Sequence, residues 1–407
     1  MRILILAQYY VPEPIPKPVE LAEELTRRGH SVSVVTGFPH YPIGKLYPGF
    51  HLSLVQRETI NDVPVVRSFE YPYHGKSALG RIVNYCSFMI SAPLGSLFAA
   101  PCDVIYVRHP PLTIGVAAWI IARLRRVPFV YDVQDIWPES AVLAGILRDG
   151  RLVRVMSMLE RFVYRHADHL LVVTDGARQN VIAKGAEAAK VSVLPNWVDE
   201  SLFKETDRSA ASEVRAHYGW GDRFVVVFAG NIGLVQGLDT VIEAARQLHD
   251  EENVLMVLVG DGTDKERLQT SAESLGLKNN LQFIARQPMK KMPALLAAAD
   301  VLLVHLKESP LADFVIPTKT LAYFAAGKPV LMATGGAAAE LVEAANAGVT
   351  ASPENPAALV TAIRSLSITS RAELAAMGQR GRDYLLKNLS KKKVIDQYEA
   401  LLRNMIR

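Results

Sequence analysis

The chain has 407 residues, half of them hydrophobic, with 45 basic against 41 acidic side chains and a formal net charge of +4. That length predicts two domains rather than one, and the apolar, near-neutral composition excludes a disordered chain and one built to coat nucleic acid. Only two cysteines occur, Cys86 and Cys102, both in apolar stretches, which excludes a disulfide framework and a thiolate metal site and fits a reducing compartment.

In chain order, Ile3–Ala7 is too short an apolar run for a signal-peptide core and reads as a buried first strand. The loop Gln8–Lys17 leads into a helix with Pro18 in its first turn, Leu21 and Leu25 on one face, and Gly29 at its end. Further strands are predicted at Val32–Thr36, Val63–Ser68, Val104–Val107, Phe129–Val133, Leu170–Val173 and Val191–Leu194. The sequence turns polar to about residue 220, then the alternation restarts with Phe224–Ala229, Leu255–Val259, Leu281–Ile284, Val301–Leu306 and Pro329–Met332. Strands alternating with amphipathic helices predict an α/β chain of two Rossmann-like domains with parallel sheets, residues 1–198 and 199–388. A C-terminal helix within 389–407 is free to pack back on the first domain. The carboxyl ends of two such sheets, facing an interdomain cleft, are the default ligand site. No stretch reaches the ~20 apolar residues that span a bilayer.

Two segments carry chemistry. The loop Gly230-Asn231-Ile232-Gly233-Leu234-Val235-Gln236-Gly237 joins a strand to a helix starting near Leu238; its glycines let backbone approach a phosphate, although a tight turn alone has the same composition. In Pro317-Thr318-Lys319-Thr320 a lysine stands in the first turn of a helix, where it opposes the dipole unless an anion sits between them. The plain alternative is a surface lysine.

Val227-Phe228-Ala229-Gly230-Asn231-Ile232-Gly233, Val257-Leu258-Val259-Gly260-Asp261-Gly262, Ala298-Ala299-Asp300-Val301 and Ile316-Pro317-Thr318-Lys319 through Ala326-Gly327-Lys328-Pro329-Val330 resemble the second domain of family-4 retaining glycosyltransferases. Asp132-Val133-Gln134-Asp135-Ile136-Trp137-Pro138-Glu139 and Leu194-Pro195-Asn196-Trp197-Val198-Asp199 are similar to the branch that builds bacterial O-antigen, capsule and exopolysaccharide. The resemblance implies the GT-B architecture, a nucleotide-diphosphate sugar bound by the second domain, an acceptor bound by the first, and neither metal nor further cofactor. The donor set it implies is Gly230, Asn231, Gly233, Gln236, Asp261, Gly262, Pro317, Thr318, Lys319 and Thr320, with the Gly335-Gly336 turn and Glu340. The acceptor set is Lys17, His109, Gln134 and Asp135, with Lys319 and Asp135 as the catalytic pair.

Departures from the family pattern are as informative. Its two glutamates fall on Phe314 and Ala322, and its arginine and lysine in the glycine loop on Asn231 and Gln236. Lys319 is thus the best remaining cation for a diphosphate. The reading is retaining transfer of a sugar to a hydroxyl of a lipid-linked glycan, with a sugar-nucleotide epimerase or an inactive nucleotide-sugar-binding partner as rivals. A nicotinamide enzyme is disfavoured, because the Gln8–Lys17 loop lacks a Gly-x-Gly-x-x-Gly fingerprint. No nucleic acid is expected as partner. Arg81 with Ile82, Val83, Cys86, Met89, Ile90 and Pro93 at helical spacing, and Trp119 to Arg126 with three arginines, suit an anionic surface and predict a cytoplasmic protein peripheral to the inner face of the membrane.

Overall fold

The computed structural model describes residues 1–75, 77–143, 150–203 and 208–406. They form two compact units, one from residues within 1–195 and 395–406, the other from residues within 196–394.

The first unit is built on β1 (Arg2–Ala7), β2 (Ser31–Thr36), β3 (Val55–Ile60), β4 (Val63–Ser68), β5 (Val104–Arg108), β6 (Phe129–Val133), β7 (His169–Val172) and β8 (Val191–Val193). Their order is β3-β4-β2-β1-β5-β6-β7-β8. The central strands are buried on both faces, as the unbroken apolar runs of β1 and β6 require when helices cover a parallel sheet. The edge departs from the all-parallel expectation: β3 pairs antiparallel with β4. Asn61 and Asp62, both at positive φ, make the two-residue hairpin between them, a turn whose twist suits the strands and whose residue types tolerate the left-handed region.

Residues 395–406 belong to this first unit. In the helix Lys391–Asn404, Ile395, Tyr398 and Leu402 are buried at helical spacing. Tyr398 lies edge-on to Tyr106, and Arg28 pairs with Asp396 at 2.7 Å and Glu399 at 2.9 Å.

The second unit carries β9 (Phe224–Ala229), β10 (Val254–Val259), β11 (Leu281–Ile284), β12 (Val301–His305), β13 (Val330–Ala333) and β14 (Gly348–Thr350), all parallel, in the order β11-β10-β9-β12-β13-β14. Strand order reverses between β9 and β12, which opens a crevice at their carboxyl ends. Trp220 is fully buried in the core and satisfies its indole N–H on Gln282 Oε1 at 2.7 Å.

Candidate functional site

The switch point of the second unit is where the informative side chains meet. Gly230 follows β9 at φ 153°, a backbone conformation open to glycine and few others. A Cβ there would lie 2.8 Å from Lys319 Nζ, so the missing side chain is what admits the ammonium. Lys319 is the second residue of the helix Thr318–Ala325. One turn on, Tyr323 accepts from the Ala229 N–H at 2.9 Å and donates to the Ala229 carbonyl at 3.2 Å, which ties the helix to the end of β9. Lys319 is therefore held at the glycine loop by a fully buried tyrosine on its own helix face.

The Lys319 ammonium has no hydrogen-bond partner and stands 3.7 Å from the centroid of the Phe228 ring. Burial pushes its pKa down to about 7, because a low-dielectric setting disfavours the charged form. Among the described residues of the second unit, four buried side-chain polar atoms lack a partner, and three of them are Lys319 Nζ, Thr320 Oγ1 and His305 Nε2. Unsatisfied buried groups are uncommon in folded proteins and mark strain, function or a ligand. Thr320 follows Lys319 in the helix, and His305, at the end of β12, is near enough to feel the Lys319 charge.

The other expected donor residues fall around the same strand ends. Gly230, Asn231 and Asp261 line a cavity of about 340 Å³ with Gly260, Arg286 and Met289. Gln236 folds over its own turn, its Oε1 accepting from the Gly233 N–H at 3.1 Å, so its amide braces the loop. Asp261 pairs with Lys265 at 2.7 Å, which holds its carboxyl below the usual range. Gly262 packs against Ile232, where a Cβ would meet the carbonyl at 2.1 Å. Pro317 caps the helix of Lys319, and Thr318 at its start is exposed. Gly336 caps the helix Ala337–Ala344 at φ 67°, with the backbone of Ala312 in the space a side chain would need; Gly335 has open space beside it. Glu340 is exposed in the first turn of that helix, where its charge suits the dipole.

In the first unit the acceptor residues of the sequence reading converge on Asp132, a fully buried carboxylate the reading did not single out. Gln134 Nε2 donates to Asp132 Oδ1 at 2.6 Å, and the His109 N–H donates to the Asp132 carbonyl at 3.1 Å. Lys17 corrects the expectation. Its ammonium is buried, lies 3.2 Å from Asp132 Oδ2 and donates to the Tyr398 hydroxyl at 2.7 Å, while Tyr106 also donates to Asp132. Lys17 thus fastens the C-terminal helix instead of facing an acceptor; burial lowers its pKa to about 8, against the pull of Asp132.

His109 is buried with both ring nitrogens unpartnered, between Tyr131 and Trp137, and burial lowers its pKa to about 3. Burial thus favours the neutral ring. Asp135 is half-buried after β6; burial raises its carboxyl, opposed by the N–H groups of Ile136 and Trp137. The structure thus brings Lys17, His109 and Gln134 together around Asp132. It leaves Asp135 on the following turn.

The helix Ala78–Ser96 exposes Leu79, Val83, Ile90 and Leu94, continued by Leu97 and Phe98. This face is turned from the expected one: Pro93 is buried and Ile82, Cys86 and Met89 are half-buried. Arg125 is spent on the carbonyls of Ser96, Ala99 and Ala100 at the helix end, whereas Arg123 and Arg126 are exposed. Among the described residues no helix is long and apolar enough to cross a membrane.

Two family models match the chain, a glycosyl transferase 4-like domain over residues 18–197 and glycosyl transferases group 1 over residues 211–384. It is 29% identical over 411 residues to a putative colanic acid biosynthesis glycosyl transferase, WcaI, of Escherichia coli K12, covering 98% of each chain. A probable glycosyltransferase of Pseudomonas aeruginosa, WbjE, is 26% identical over 381 residues, covering 89% of this chain and 92% of that one. Among solved structures, Anabaena HepE in complex with UDP and glucose aligns with a TM-score of 0.73 at 22% identity, over 99% of this chain and all of that one. The two α/β units have the GT-B fold.

Proposed function

The chain belongs to the glycosyltransferases made of these two domains, and we propose that it moves a sugar, with retention, from a nucleotide diphosphate to a hydroxyl of a lipid-linked glycan in cell-surface polysaccharide synthesis. The observation that carries the donor side is the partner-free, buried Lys319 ammonium at the switch point of β9 and β12. A diphosphate supplies the negative charge that this site lacks, and a cation fixed there stabilises the leaving group as the sugar–oxygen bond breaks. The amides of the Gly230–Gly233 loop and of the Gly335-Gly336 turn add dipoles to the same charge. No second carboxylate is assigned for a double displacement. The acceptor oxygen therefore attacks the face the diphosphate leaves, and its proton passes to the departing phosphate oxygen. UDP and UDP-glucose, held by Anabaena HepE, are the first donors to try. Incubating the purified protein with nucleotide sugars and lipid-linked glycan from a polysaccharide-producing cell should give an elongated product that keeps the anomeric configuration of the donor; nucleotide-sugar epimerisation without acceptor would overturn the reading.

Lys319 makes nucleotide binding pH-dependent. With its pKa near 7 in the protein alone and raised beside a diphosphate, binding takes up a proton between those two values. For a nucleotide sugar, whose diphosphate does not titrate in this range, affinity is therefore constant below about pH 7 and falls as pH rises, by at most about tenfold per unit. Calorimetry in two buffers of different ionisation enthalpy should show uptake approaching one proton at pH 8 and little at pH 6. Equal uptake at both would remove Lys319 from the diphosphate.

The lipid-linked acceptor brings the enzyme to a membrane, and the exposed row Leu79, Val83, Ile90, Leu94, Leu97, with Arg123 in the neighbouring helix Ile114–Arg125 and Arg126 just after it, suits an anionic bilayer. Co-sedimentation with phosphatidylglycerol vesicles should exceed that with neutral vesicles and fall with salt. Ile90→Glu with Leu94→Glu should abolish it while leaving nucleotide binding unchanged. Equal retention of the double variant would place membrane contact elsewhere.

A further inference from the structure

His305 was invisible in the sequence as anything but the end of an apolar strand, yet it is fully buried at the carboxyl end of β12 with a defined task on one ring nitrogen and none on the other. Its Nδ1 lies 2.6 Å from the Gln236 carbonyl oxygen. A carbonyl only accepts, so Nδ1 carries the proton. The Lys307 N–H donates to the Val235 carbonyl at 2.9 Å, so the end of β12 and the residue pair after it clamp the turn Leu234–Gln236. Gly237 completes the clamp: a Cβ there would stand 3.2 Å from the imidazole.

The tautomer fixed by this bond leaves Nε2 as a bare lone pair, buried and without a partner. Burial lowers the pKa of the ring, against the Gln236 bond and the charge of Glu354 and with a smaller push from Lys319, so the neutral form is favoured. A neutral Nε2 repels a phosphate oxygen and takes a hydrogen-bond donor. Of the two partner-free groups that interact here, Lys319 offers only donors and suits phosphate, whereas His305 Nε2 offers only an acceptor and suits a hydroxyl.

Resting on the donor-site reading, we infer that His305 is a specificity residue of this site: its Nδ1–H braces the glycine loop while its Nε2 accepts a hydrogen bond from a hydroxyl of the bound nucleotide sugar. The hydroxyl belongs to the ribose or to the transferred sugar, and the two are separable by experiment. Phosphate and hydroxyl are then read by adjacent side chains of opposite hydrogen-bonding sense, which sets a nucleotide sugar apart from inorganic pyrophosphate.

The test is calorimetry of wild type and His305→Phe with inorganic pyrophosphate, UDP and UDP-glucose, or the guanosine pair if wild type selects guanosine. If the ribose is the donor, His305→Phe weakens UDP and UDP-glucose by on the order of tenfold and leaves pyrophosphate unchanged. If the transferred sugar is the donor, only UDP-glucose weakens. Equal weakening of all three ligands would reduce His305 to a loop brace, and no change in any would remove it from the site; both outcomes overturn the inference. Should the phenylalanine variant not fold, wild type supplies the answer: UDP against 2′,3′-dideoxyuridine diphosphate, and UDP-glucose against UDP, must differ in at least one pair by a comparable factor. A wild-type protein that binds none of these nucleotides overturns the donor-site reading itself, a result distinguishable from any failure of His305.

Discussion

Lys319→Ala is expected to lower kcat/KM for sugar transfer by on the order of 100- to 1,000-fold, about 2.7–4 kcal/mol of transition-state stabilisation, without loss of folding stability. The two halves of that result have one cause. Within the protein itself the ammonium has no ion pair or hydrogen bond and is pushed toward neutrality by burial, so the folded chain gives up little when it is removed. In the transition state the same ammonium faces a diphosphate gaining charge in a place shielded from water, where a fixed cation is worth most. A variant melting at or above the wild-type temperature with turnover collapsed meets the expectation. A variant that loses stability and keeps its turnover would make Lys319 a packing residue against Phe228.

The second large effect is structural. Asp132→Ala should destabilise the first unit by about 3–5 kcal/mol, because it leaves the buried Lys17 ammonium without its carboxylate and strips acceptors from Tyr106 and Gln134. Its neighbours include Tyr398, so hydrogen exchange in residues 395–406 should rise with the loss. Replacing both partners, Lys17→Met with Asp132→Asn, should recover much of the stability, since apolar or neutral groups of similar volume remove the stranded charge. Urea midpoints of the three chains measure this. A single variant as stable as wild type would show that the cluster is solvated and not a fastening.

Much of this molecule was legible in the sequence because its central strands are runs of Val, Ile, Leu and Phe buried on both faces. The two strands that went unread lack that signal. β3, Val-Gln-Arg-Glu-Thr-Ile, is a half-exposed edge whose one clue was the Asn61-Asp62 turn; β14 has three residues and begins with glycine. For the site, the contradiction between a lysine and its helix dipole pointed to Lys319 before any geometry. What composition could not carry was which polar groups would end up without partners. Lys17 looked available because its partners lie far away in the chain, Asp132 on β6 and Tyr398 on the last helix. His305 looked like strand, since its significance lies in a bond to Gln236, 69 residues earlier. The apolar face of the helix Ala78–Ser96 was recognised as a face but assigned the wrong rotation, because Pro93 packs inward while Leu79, Leu94 and Leu97 point to solvent.

The central claim, that the second unit holds a nucleotide-diphosphate sugar with Lys319 on its diphosphate, is tested most directly by thermal shift of wild type and Lys319→Ala against UDP-, GDP- and dTDP-sugars at pH 7. A ligand at about 100 times its Kd adds about 2.7 kcal/mol to the folded state, which is a shift of several degrees. The account predicts that one nucleoside class shifts wild type by that amount and that the shift is lost in Lys319→Ala. An equal shift in both proteins, or none in wild type with any of the three, would contradict it.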